Sequence, residues 1–378
     1  MTSVQIRKVE TKKELKTFID FHYDLYKGNK YDVPTLFSDD WNTLSKDKNA
    51  AFEFCQAEYY LAYKGGKVVG RVAAIINHKA NKRWKREDVR FGWIDFIDDM
   101  DVSKALLEAV ESYGRANGMK QVVGPLGFTD FDPEGMLTEG FDQLGTMSTI
   151  YNYPYYPEHL KKMGGWVKDN DYVEFKLLVP KTVPEKYIKL SEMVEKRYNL
   201  HVRTLTKKEI NEGGYGHKIF RLINDAYAPL FNFSRMTERQ IDQSVKMYVP
   251  VLDLRMVTLV ENDEGELVAV GISMPSLSKA LQKAKGKLLP LGWWHLLKAL
   301  FWKRPEALDL LLVAVRPDYQ GKGVSALLFT DLIPIYKQLG FVYAESNPEL
   351  EQNDKVQSQW QYFKTEQHKR RRCYRKDI

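Results

Sequence analysis

Cysteine is nearly missing from this chain. Cys55 and Cys373 are the only two in 378 residues, too few for a disulfide framework or a thiolate metal motif, so reduced thiols in a cytoplasmic setting are expected and no metal is. Residues 1–7 lack the apolar core of a secretory signal, and no apolar run reaches the ~18 residues of a membrane-crossing helix. The sequence has no G-x-x-x-x-G-K-[ST], which excludes the NTPase loop, and no G-x-G-x-x-G, which excludes the dinucleotide fingerprint. There is no Cys/His or Ser/His constellation for covalent catalysis.

What is present is a globular composition, 44% hydrophobic and 13% aromatic, long enough for two domains. The formal charge of +7 is modest. Its densest cluster, residues 368–376, comes without a nucleic-acid-binding motif, so the expectation is a solvated last strand and no nucleic-acid partner.

One stretch organises the rest. Residues 310–315 form a continuous apolar run of strand length, ended by Pro317. Val324, Leu327, Leu328, Leu332 and Ile335 then repeat at helical spacing. Between them, Gly321 and Gly323 bracket Lys322. Strand, glycine turn and helix start make an anion site from backbone N–H groups, or simply an ordinary turn before an amphipathic helix.

The spacing Gln320-x-x-Gly323-x-Ser325 resembles the pyrophosphate loop of the GNAT N-acetyltransferase superfamily, [Q/R]-x-x-G-x-[G/A], with Ser325 where that family has Gly or Ala. The resemblance implies that Gln320, Gly321, Lys322, Gly323, Val324 and Ser325 hold the diphosphate of acetyl-CoA or another acyl-CoA. It implies that the strand at Val313, Ala314 and Val315 holds the thioester carbonyl, and that Asn353 hydrogen-bonds near the pantetheine. Glu345, at the end of the neighbouring strand, is the first candidate base, with a structural salt bridge as its alternative; Asp309 is the second. The family's tyrosine acid is replaced by Trp360, and Tyr362 is the nearest substitute.

The order of elements occurs twice. A hairpin at 59–76, a strand at 91–96, a helix at 102–116 and a strand at 121–123 are matched by a hairpin at 256–274, the strand and helix above, and a strand at 341–344. The expected fold is therefore α/β (α+β): tandem GNAT folds with mixed, mostly antiparallel sheets flanked by helices. Residues 1–179 form a degenerate copy and 180–378 the cofactor-binding copy. In the first, Asp98, Asp99 and Asp101 occupy the place of the phosphate loop, where they would repel a diphosphate and are expected to cap a helix. A tyrosine-rich loop at 151–156 reads as a cover over the sheet. The glycine–proline loop and Asn152-x-x-Tyr155-Tyr156 also resemble a group of long bacterial GNAT-like proteins without an assigned substrate.

The resemblance implies an acyl-CoA-dependent N-acyltransferase acting on a small-molecule or peptide amine. Its rivals are a non-catalytic acyl-CoA-binding protein and a long-chain acyltransferase making an acylated amino acid or lipid. Residues 286–304 interrupt the second copy with an almost wholly apolar run. They are expected to bury against the sheet with one face on the acceptor pocket, with Trp293 and Trp294 at least partly shielded from water, and to leave the protein unable to partition to vesicles.

Overall fold

The computed structural model describes residues 3–211 and 213–378. They form two compact units: the chain to Val173 with Ser278–Leu296 and His368–Ile378, and Glu174–Leu277 with Leu297–Gln367. The path is more interleaved than a single division after residue 179, because Ser278–Leu296, with the first part of the apolar interruption, and His368–Ile378, with most of the last strand, both belong to the first unit.

Unit 1 runs β1 (Gln5–Lys8), α1 (Lys12–Leu25), α2 (Phe37–Leu44), β2 (Cys55–Lys64), β3 (Lys67–Asn77), α3 (His78–Trp84), β4 (Asp88–Phe96), α4 (Met100–Ala116), β5 (Gln121–Gly124), β6 (Met136–Glu139), α5 (Tyr155–Met163) and the first half of β7 (Val167–Leu178). Thr11 and Glu14 close a capping box on α1, the reciprocal bond that their spacing announces. β2 and β3 pair antiparallel, β3 pairs β4 antiparallel, and β4 pairs β5 in parallel over Asp88–Arg90 only. A parallel pair needs a crossover, and α4 supplies it, burying Val102, Leu106, Leu107 and Val110 against the sheet.

Unit 2 repeats the plan: α6 (Glu185–Tyr198), β8 (Leu200–Arg203), α7 (Lys207–Asn211), α8 (Tyr215–Tyr227), α9 (Glu238–Tyr248), β9 (Val257–Asn262) and β10 (Leu267–Pro275). After α10 (Ser278–Ala284) and α11 (Gly292–Leu297), which fall in unit 1 up to Leu296, come β11 (Ala307–Val315), α12 (Ser325–Gln338), β12 (Tyr343–Ser346), β13 (Glu349–Leu350) and α13 (Asp354–Gln357) of unit 2, and then β14 (Thr365–Asp377), most of which belongs to unit 1. Here β9–β10–β11 is antiparallel, and β11 pairs β12 in parallel across the α12 crossover.

Two expectations are corrected. The basic tail is not solvated: β14 pairs with β5 and β6 inside unit 1, and Lys369 and Arg371 are each only 1% exposed. Arg370 and Arg372 bond the Asp171 carboxylate at 3.0 and 2.7 Å. Burial alone would raise the Asp171 pKa; Arg372 and Lys168 instead hold it at about 2. Alternating basic residues thus supply buried counter-charge. The apolar run is not packed away as a whole either: Trp293 and Trp294 are partly shielded, at 44% and 42% exposed, but Leu289 and Leu291 are 77% and 61% exposed. Among the described residues, no helix is long and apolar enough to cross a membrane.

Candidate functional site

The site in unit 2 starts from a bulge. β10 and β11 stay in register from Ala269↔Val315 to Ile272↔Leu312, then shift so that Ser273 faces Leu310, which leaves Leu311 as the extra residue. On its other side β11 pairs β12 only from Ala307↔Tyr343 to Leu310↔Ser346. Past Leu310 the two parallel strands part, and residues 311–315 present an open edge.

Three side chains meet that edge. Asn347 Nδ2 donates to the Leu311 carbonyl at 2.6 Å, the Tyr227 hydroxyl to the Val313 carbonyl at 3.1 Å, and Gln320 Nε2 to the Val315 carbonyl at 3.1 Å. Their spacing of two residues is the strand period, so these carbonyls share one side of β11. Tyr227 ends α8. The loop after α8 is clamped by Asn224, whose amide accepts from Met236 N at 2.8 Å and donates to Met236 O at 3.1 Å. Phe233 is buried and meets the Tyr227 ring edge-on. Burial pushes the Tyr227 phenol up to about 12, and the field of Glu349 adds to that.

The glycine turn follows at once. Residues 317–319 form one 3₁₀ turn, then Gly321 and Gly323 take φ of 75° and 81°. A Cβ on Gly323 would press on Leu190 of α6 at 3.1 Å and force a left-handed backbone on an L residue. α12 begins at Ser325 with no side chain capping its first turn, the arrangement that leaves N–H groups for an anion. Lys322 sits over the Tyr198 and Tyr319 rings, at 5.0 and 4.9 Å.

The carboxylates separate by position. Glu345 and Asp309 are buried and face each other across the paired part of β11–β12. Glu349 lies beyond the divergence, where Trp360 Nε1 donates to its two oxygens at 3.0 and 3.2 Å. Desolvation drives its carboxyl up to about 7, against the pull of the Trp360 and Ser346 hydrogen bonds. Tyr227 reads from sequence as a residue that either lines an acceptor pocket or packs in the core; Glu349 and Asn347 are not marked by their local spacing, since they meet β11 and the last turn only once the strands part.

Asn353 stands before α13, which is four residues long, with a 3₁₀ turn at Ser358–Tyr362 in place of a longer last helix. Trp360 is buried by that turn, whereas Tyr362 turns to α6, meeting the Tyr187 ring at 5.4 Å with Lys186 Nζ over its own ring at 4.3 Å.

The counterpart in unit 1 is filled by its own chain. Past Arg90, the Phe91 carbonyl accepts from Leu126 N at 2.8 Å, Phe96 N donates to the Tyr156 hydroxyl at 3.0 Å, and the Phe96 carbonyl accepts from Tyr155 at 2.6 Å. Asp99 caps α4 by accepting from Asp101 N at 3.0 Å and takes Lys64 at 2.6 Å. Asp98 takes His159 at 2.9 Å. The aromatic cover therefore lies along the open edge of β4, with Tyr156 stacked on Phe96 at 4.1 Å.

Two such units in tandem define a class: the chain has the tandem GNAT fold. It aligns over 99% of its length with 98% of a tandem GNAT protein from the clavulanic acid biosynthesis pathway, at a TM-score of 0.57 and 10% identity. Among curated proteins it is similar to the bacterial ceramide synthase of Caulobacter vibrioides, 29% identical over 82% of this chain and 80% of that one. It is also similar to protein YghO of Escherichia coli K12, 26% identical over 99% of this chain and 95% of that one. No protein-family model matches the chain.

Proposed function

We propose that unit 2 binds an acyl-CoA and transfers its acyl group to an amine, while the N-terminal copy takes no cofactor. The observation that carries this reading is the open edge of β11, with its outward carbonyls held by Asn347, Tyr227 and Gln320 and the uncapped start of α12 directly beyond. An extended pantetheine arm adds to such an edge as a further strand does. The diphosphate then falls to the backbone of residues 320–325, with the Lys322 ammonium beside it, and Asn353 is assigned to the pantetheine. The same edge in unit 1 is occupied by Tyr155, Tyr156 and Leu126.

Glu349 fits the chemistry better than Glu345, because it lies outside the closed ladder and is driven to about 7, where a carboxyl both accepts and returns a proton at neutral pH. The neutral amine attacks the thioester carbonyl; N–H groups of the β11 edge stabilise the oxyanion. As the C–N bond forms, the nitrogen proton passes to Glu349. As the C–S bond breaks, Glu349 returns it to the departing thiolate, leaving an amide and free coenzyme A. This route needs no proton from Tyr362.

For the acceptor, the similarity to a protein named as a ceramide synthase favours a long-chain amine, since a ceramide is an N-acylated long-chain amino alcohol. The test is thermal stability with coenzyme A, acetyl-CoA and longer acyl-CoAs. A ligand at 100 times its Kd stabilises by about 2.7 kcal/mol, and replacing Gly321 and Gly323 together by valine abolishes that gain with the fold intact. An unchanged gain in the double variant rejects the assignment.

A further inference from the structure

The segment between β10 and β11 is fixed at its base and bare at its tip. At the base, Gln282 Nε2 donates to the Lys30 and Asp32 carbonyls at 3.0 and 2.8 Å, and the Gly286 carbonyl accepts from Phe37 N at 2.8 Å. Leu281 and Ala284 are buried there. The chain then turns sharply. A Cβ on Gly292 would lie 1.8 Å from the Lys287 carbonyl, so only glycine fits. Beyond the turn, α11 and a π turn at Lys298–Trp302 carry large apolar side chains outward. Leu289 is 77% exposed, Leu291 61% and Trp302 64%, and Trp293, Trp294 and Phe301 are exposed with them.

The charge along this segment has one sign. From Leu267 to Pro305 the sequence contains no Asp or Glu, while Lys283, Lys285, Lys287, Lys298 and Lys303 are all exposed. A protein-binding face with such an apolar centre is ordinarily poor in lysine. Tryptophan beside lysine is instead the composition of elements that lie in a lipid headgroup layer, where the indoles sit at the interface and the lysines reach anionic phosphates. The helix is too short to span a bilayer, which leaves the surface of one as the place where such an element would sit.

We infer that the α11 segment docks this protein on the surface of an anionic bilayer, with Leu289, Leu291, Trp293 and Trp294 in the headgroup layer and Lys283, Lys285 and Lys287 on the phosphates. This surface is independent of the acyl-transfer reading, and its test reads binding without catalysis.

The test is co-sedimentation of the full chain with phosphatidylcholine vesicles, with and without phosphatidylglycerol, alongside size-exclusion chromatography. The protein is expected to partition roughly tenfold more strongly onto the phosphatidylglycerol vesicles, less so as salt rises. Leu289→Ser with Leu291→Ser removes apolar contact at two highly exposed positions, where substitution disturbs folding least, and Lys283→Glu, Lys285→Glu and Lys287→Glu together reverse the charge. Each set is expected to lower binding roughly tenfold, with tryptophan emission no longer shifting to the blue. Wild-type protein remaining in the supernatant with anionic vesicles overturns the inference, as does equal binding by both variants. A dimer that these substitutions dissolve would assign the surface to a second copy of the chain and overturn it as well.

Discussion

The indole N–H of Trp360 donates to both carboxylate oxygens of Glu349, at 3.0 and 3.2 Å. That bond favours the charged form of a carboxyl that burial drives up to about 7, so on the proposed mechanism the pair would set the pH at which the site has a base. The rate with saturating substrates should fall as pH drops through about 7. Trp360→Phe removes the bond and should move that limb to higher pH, while Glu349→Gln should lower kcat by 10²–10⁴-fold, the span of general acid–base catalysis. A pH–rate profile unmoved in Trp360→Phe would take the role away from Glu349.

Asn347 and Tyr227 hold carbonyls on the open edge of β11. Tyr227→Phe and Asn347→Ala should each weaken acyl-CoA binding by about 1 kcal/mol, roughly fivefold, because the edge loses its fixed geometry. Calorimetric titration reads this directly. Equal affinity in both variants would mean that the cofactor does not use that edge.

In unit 1 the Tyr156 hydroxyl accepts from Phe96 N at 3.0 Å and from Tyr26 at 3.0 Å. Tyr156→Phe leaves a buried N–H without its acceptor and should cost about 1–3 kcal/mol of stability, seen as a lower urea midpoint. Coenzyme A affinity should not change. A fall in affinity with unchanged stability would place the cofactor in unit 1.

His22 is buried between Asp32, 3.3 Å from Nε2, and Asp95, 3.1 Å from Nδ1. Burial pushes its pKa down, but the two carboxylates together raise it from 6.5 to about 10. The stabilisation is fully present below pH 6.5, where the unfolded histidine is also charged, and is lost as pH rises toward 10. The stability advantage of wild type over His22→Gln should therefore shrink across that window. An advantage that stays constant from pH 6 to 10 would show that His22 is not held charged.

How far the sequence carries can be judged element by element. The Thr11–Glu14 capping box, the β2–β3 hairpin and the strand–turn–helix at residues 307–338 were all legible, because each is written in neighbouring residues. The duplication showed in the order of elements, and the capping role of Asp99 in its place before α4. Long-range pairing was not legible. β14 returns to β5 and β6, so a basic run that reads as solvated becomes the counter-charge for Asp171. Trp360 and Glu349 meet through the 3₁₀ turn that replaces a longer helix. The apolar segment at 288–302 has the composition of a core, and only the turn at Gly292 and the contacts at its base show that it faces outward.

Product formation is the most direct measurement of the central reading. Purified protein incubated with a long-chain acyl-CoA and a long-chain amine should release free thiol and an equal amount of N-acyl amide by mass spectrometry. Both should vanish in the Gly321→Val, Gly323→Val double variant and fall steeply in Glu349→Gln. Thiol and amide formed at the wild-type rate by the double variant, or neither formed by wild-type protein that binds the acyl-CoA tightly, would contradict it.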